Sequence, residues 1–112
     1  MRLVLAAAIL FTLAGCSHGD AQLQQRVAYW KGALSRDVPP GTRADTAMAW
    51  GVAHGVRFTY YDQQRWLYAN AERVPVSGFK FPCSEWNIIL TIPIDSDGRS
   101  LPYKIDTVGS CI

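Results

Sequence analysis

Three cysteines (Cys16, Cys83, Cys111), two histidines (His18, His54) and nine carboxylates are the side chains with which this chain could do covalent, metal or acid–base chemistry. Their spacing organises none of it. His54 has no Ser or Cys close by in the sequence to make a nucleophile pair. The carboxylates Asp20, Asp37, Asp45, Asp62, Glu72, Glu85, Asp95, Asp97 and Asp106 are scattered, mostly where caps and turns are expected. Asp95-Ser96-Asp97-Gly98 echoes the start of a calcium loop, but the closing Glu and the remaining ligands are missing, so it reads as a turn. No glycine-rich phosphate loop is present. The chain is therefore expected to be no enzyme, to carry no metal or cofactor and to take no evident small-molecule substrate.

Aromatic side chains are the better-organised group. Around residues 65–74 the residues alternate, with Leu67, Ala69 and Ala71 on one side and Trp66, Tyr68, Asn70 and Glu72 on the other. With helices covering only the small apolar side, Trp66 and Tyr68 stand on an uncovered sheet face, and Tyr61 and Ile89 join them by the same parity. Aromatics mixed with polar groups are the usual makeup of a protein-binding hot spot. Phe79 and Phe81, in the loop near Cys83, are a second candidate contact. The alternatives are that Trp66 and Tyr68 face the core with Leu67 outward, that the sheet coils and buries both sides, and that Phe79 and Phe81 plug the end of the core. Trp30, Trp50 and Trp86 read as core.

The elements that must position these residues can be read in order. Leu23, Val27, Trp30 and Leu34 are spaced by four, three and four, one stripe of an amphipathic helix over 21–34. Arg36-Asp37-Val38-Pro39-Pro40-Gly41 breaks it. Thr42 is the expected cap of a second helix, with Asp45 three residues on, a stripe of Ala44, Ala47, Met48, Gly51 and Val52, and Gly55 in the left-handed terminal position. His54 in its last turn suits a capping or surface role. The period then becomes two. Val56, Phe58 and Tyr60 alternate with Arg57, Thr59 and Tyr61, and Asp62-Gln63-Gln64 turns into a second strand over Arg65–Val74. Pro75 to Ser84 is expected as a loop. Trp86, Ile88, Leu90, Ile92 and Ile94 share one face of a third strand. A hairpin turn at 95–98 leads into a last strand over 101–108, with Leu101, Tyr103 and Ile105 together. This order predicts an α+β fold, two N-terminal helices packed on one face of a three- to four-stranded antiparallel sheet. At 112 residues there is room for one such domain, over residues 21–112.

The start of the chain has a different character. Arg2, about eleven apolar residues, and then small residues before Cys16 have the layout of a secretory signal and fall short of the roughly 20 apolar residues of a membrane span. Leu13-Ala14-Gly15-Cys16 resembles the lipobox of bacterial lipoproteins. That resemblance implies that residues 1–15 are removed as a signal peptide, that Cys16 takes a diacylglycerol and an N-acyl chain such as palmitate, and that residues 16–20 form a tether. By the same resemblance Ser17 favours the outer membrane, with the inner membrane as the alternative. With Cys16 acylated, Cys83 and Cys111 remain as an even pair in an oxidising compartment, where a disulfide is expected. It would close a loop of about 28 residues, worth roughly 3–4 kcal/mol on the chain-entropy model.

Without Arg2 the chain has ten basic and nine acidic side chains and no basic block, so nucleic acid is not an expected partner. In layout, residues 16–112 resemble small outer-membrane lipoproteins of the β-barrel assembly machinery, the SmpA/OmlA or BamE-like group. Gly41-Thr42-Arg43-Ala44-Asp45 lies where those proteins start their second helix, without their Met and the following Leu-Gly. The resemblance implies a periplasm-facing, protein-binding accessory subunit of envelope assembly. The alternative is an immunity or inhibitor lipoprotein against a periplasmic hydrolase effector, a role that suits a small, tethered, catalytically empty chain.

Overall fold

Among the described residues, two helices precede a four-stranded antiparallel meander. The computed structural model describes residues 21–76 and 83–111. The helices are α1 (Ala21–Asp37) and α2 (Ala44–Ala53), and the strands are β1 (Thr59–Tyr61), β2 (Trp66–Pro75), β3 (Cys83–Pro93) and β4 (Lys104–Cys111). The sheet order is β1-β2-β3-β4, every pair antiparallel, so each strand lies beside its neighbour in sequence. This is the α+β class that the change of period predicts. No helix among the described residues is long and apolar enough to cross a membrane.

The core lies between the helices and one sheet face. Trp30 and Leu34 of α1 and Ala47 of α2 meet Leu67 and Ala69 of β2 and Ile88, Leu90 and Ile92 of β3, all within one buried cluster. Leu67 pairs with Ile92 and Ala69 with Leu90, so two adjacent strands point apolar residues to the same side. Of the expected core tryptophans, Trp30 is buried, whereas Trp50 and Trp86 are half-buried and pack against its edge.

Three local expectations are corrected. Thr42 does not cap α2: its hydroxyl donates to the Pro39 carbonyl (2.6 Å), and Arg43 occupies the cap position without a side-chain capping bond. The reason is tertiary. The segment before α2 is stitched to the β3–β4 turn, with the Ala44 amide bonded to the Gly98 carbonyl (2.9 Å) and the Gly41 and Ser100 amides bonded across to Ser100 and Thr42 (both 2.7 Å). The Gly98 carbonyl of the turn takes the first amide of the helix and the Asp45 carboxylate takes that of Thr46 (2.8 Å), so Thr42 is not needed as a cap. Second, the stripe on α2 is narrower than expected. Ala47 and Gly51 are buried, but Met48 and Val52 are exposed, because Gly51 sits directly on Phe58 and leaves the next positions outside the contact. Third, strand boundaries move. Val56 and Phe58 are buried but precede β1, Tyr60 and Leu101 are exposed, and β4 begins only at Lys104. Cys83 and Ser84, expected in a loop, open β3.

Turn chemistry follows the expected pattern. Gly55 and Gly98 have positive φ (75° and 78°), and Asp95 accepts hydrogen bonds from the amides of Asp97 and Arg99 (both 2.9 Å). Residues 62–65 form the β1–β2 turn, closed by an Arg65 amide bond to the Tyr61 carbonyl (2.8 Å).

Candidate functional site

The sheet face away from the helices carries the residues that alternation singles out. β1 pairs Tyr61 with Trp66 and Thr59 with Tyr68, so all four stand on one side, opposite Leu67. Tyr61 and Tyr68 meet edge to face, ring centroids 5.9 Å apart and planes at 89°. This is a favourable aromatic geometry that holds both rings in place. Tyr61 and Tyr68 are 44% and 38% exposed, and Trp66 is half-buried. Together with Gln64 of the turn they line an open pocket of about 250 Å³. Among the described residues, the polar tips of these four side chains bond to no other side chain. An apolar floor with unused indole, phenol and amide donors can take an apolar side chain and hydrogen-bond its backbone.

Gln64 was not among the expected contacts. Its place in a polar turn gives no periodic signal, and only the fold of β1 against β2 brings it to the pocket.

Glu72 is the member of the expected face that the structure moves. The β2–β3 register steps from Asn70 opposite Ile89 to Glu72 opposite Ile88, a bulge that gives β2 one extra residue at Ala71. One extra residue inverts parity beyond it. Glu72 therefore points to the helices, where its carboxylate accepts from Arg26 Nε and from Trp30 Nε1, each at 2.9 Å. Asn70 remains on the open side, donating to Asn87 Oδ1 (2.9 Å), whose amide in turn donates to Ser110 Oγ (2.9 Å). Ile89 also lies on the open side, opposite Asn70 and Asp106, but only 8% of it is exposed. In a central strand, neighbours on both sides close over a side chain of that size, so Ile89 supports the face and offers little contact area. Cys16, His18, Asp20, Phe79 and Phe81 lie outside the described residues.

The titratable groups gather elsewhere. Asp37, at the end of α1, accepts from Arg36 Nε (3.0 Å) and Trp50 Nε1 (3.0 Å). The Arg36 hydrogen bond, then that of Trp50, holds the Asp37 carboxyl below the ordinary aspartate range, and Asp37 in turn raises Arg36. The His54 ring stacks on Trp50 (4.3 Å) and its Nδ1 bonds the Trp50 carbonyl (2.8 Å). A carbonyl only accepts, so Nδ1 is the donor in this bond and the ring caps the end of α2. Asp37 and His54 thus flank one indole without sharing a hydrogen bond. Among the described residues no three of His, Cys, Asp or Glu cluster as metal ligands.

No protein-family model matches this chain, and neither a curated protein nor a solved structure matches it.

Proposed function

We propose that this chain is a membrane-anchored lipoprotein of the bacterial cell envelope, facing the periplasm, that binds another protein through the open face of its sheet and catalyses no reaction. The observation that carries the binding role is the cluster of Tyr61, Trp66 and Tyr68 around one pocket on the uncovered face. Such rings offer large contact area at low conformational-entropy cost. The anchor reading rests on Leu13-Ala14-Gly15-Cys16, with Cys16 acylated and residues 1–15 removed. The diacylglycerol and the N-acyl chain together put three acyl chains on that residue, which gives stable attachment where a single chain is marginal. Outer-membrane placement rests on Ser17.

A Cys83–Cys111 disulfide belongs to the same reading. Its support is the β3–β4 ladder, which makes Cys83 and Cys111 direct Cα partners. Directly opposed residues of an antiparallel pair lie about 4.5–5.5 Å apart at Cα, inside the range a disulfide spans. The bridge would staple the ends of the two strands together.

The experiment is a crosslinked pull-down of the lipidated protein from cell envelopes, followed by mass spectrometry, beside the Trp66→Ala and Tyr68→Ala variants. Recovery of assembly-machinery components, lost in the variants, identifies an accessory subunit. Recovery of one hydrolase encoded next to this chain identifies an immunity protein. Partners recovered equally by wild type and variants refute the aromatic face as the binding site.

A further inference from the structure

The sheet has two edges, and they differ. β1 is three residues long, whereas β4 runs for eight, carries no proline, and is charged only at Lys104 and Asp106 near its start. A long edge strand presents a row of unpaired backbone donors and acceptors that only another extended strand can complement, and monomeric proteins usually guard it. Beside β4 on the helix side lies a groove of about 440 Å³ lined by Leu23, Gln24, Val27, Ala28, Lys31 and Thr107.

We propose that β4 pairs with β4 of a second copy, antiparallel about a two-fold axis beside Thr107, joining two four-stranded sheets into one of eight strands. The side-chain order is what selects a second copy over a foreign strand. Thr107 faces the helix side, because its register partner Ile88 is core, whereas Lys104, Asp106 and Val108 follow Thr91, Ile89 and Asn87 onto the open side. With Thr107 opposite its own copy, Asp106 meets the partner's Val108 and Lys104 meets the partner's Ser110. Along the paired strands no like charges oppose, and a Thr–Thr cross-strand pair is favourable. On the helix side the same axis turns the two grooves toward each other, so that Ala28 and Val27 of each α1 approach over the paired threonines. This is the self-complementarity an isologous interface requires. The aromatic pocket lies toward the β1 edge and stays open in both copies.

The test uses the full-length lipoprotein extracted in detergent. Sedimentation and light scattering, corrected for bound detergent, are expected to give a concentration-dependent dimer. Thr107→Lys sets two like charges across the axis and is expected to weaken the dimer at least ten-fold. Ala28→Glu, at another exposed groove position, is expected to do the same, each with an unchanged circular-dichroism melt. In envelopes, Thr107→Cys is expected to give a covalent dimer on mild oxidation and Gln63→Cys, in the β1–β2 turn, to give none. A monomer at all concentrations, a dimer indifferent to both charge variants, or equal crosslinking from both cysteine positions would overturn the proposal. A monomer that instead captures a foreign strand along β4 would overturn it as well.

Discussion

Glu72 accepts a hydrogen bond from the indole of Trp30 at 2.9 Å, although strict strand alternation from Trp66 assigns it to the opposite side of the sheet. The bulge at Ala71 makes that contact possible, and the contact gives the bulge its use. It ties β2 to α1 through a carboxylate that also holds Arg26. Trp30 is 4% exposed, so its N–H depends on Glu72 for a partner.

Replacing Glu72 tests this linkage. Glu72→Ala leaves a buried indole N–H without an acceptor and a guanidinium without its pair, an expected loss of about 1–3 kcal/mol. Glu72→Gln keeps one acceptor oxygen and should lose about half as much. Urea denaturation of both variants decides. No change in either midpoint would mean that the side chain is not held against α1.

Gly51 and Gly32 make a contrasting pair. A Cβ at Gly51 would sit 2.7 Å from Phe58 Cδ2 and 2.7 Å from the Val56 carbonyl oxygen, whereas one at Gly32 meets nothing within 4 Å. Gly51→Ala should therefore destabilise by about 1–3 kcal/mol despite its better helix propensity. Gly32→Ala, in the interior of α1, should stabilise by roughly 0.5–1 kcal/mol. Thermal melts of the two variants should move in opposite directions.

On the open face, Trp66→Ala and Tyr68→Ala are expected to weaken partner binding by about 2 kcal/mol each, roughly 30-fold in Kd. The thermal midpoint should stay close to wild type, because these rings lie outside the buried cluster. Binding is read by titration against the partner recovered from envelopes, and stability by calorimetry. A collapse of stability in either variant would mean that the rings belong to the core.

Asp37 sets a pH dependence. Its folded pKa lies below the ordinary 3.8, mainly through the Arg36 hydrogen bond and then that of Trp50. The unfolded chain therefore binds the proton more readily. The stabilisation is complete above the ordinary value and lost as pH falls through the lower folded value. Stability profiles should accordingly fall below about pH 4, and Asp37→Asn should flatten that part of the profile. An identical acid limb in the variant would assign it to other carboxylates.

Much of this organisation is legible in the chain before folding is considered. Period three to four over 21–34 and period two after Gly55 are local properties of the backbone, so helix, strand and turn types follow from residue order, and with them the placement of Tyr61, Trp66 and Tyr68 opposite Leu67. The exact helix cap, the face of Glu72, the sinking of Ile89 and the recruitment of Gln64 follow from contacts between distant segments. Thr42 has the right chemistry for a cap but loses that role to the Gly98 carbonyl, which arrives from the far end of the sheet. Glu72 has the right parity for the open face until one extra residue at Ala71 turns it over. Residue order alone determined which elements form and which aromatics share a face, because both follow from short-range periodicity. Only the tertiary structure decided where that periodicity is interrupted, because a bulge is stabilised by what it brings into contact, here a carboxylate and an indole on different elements.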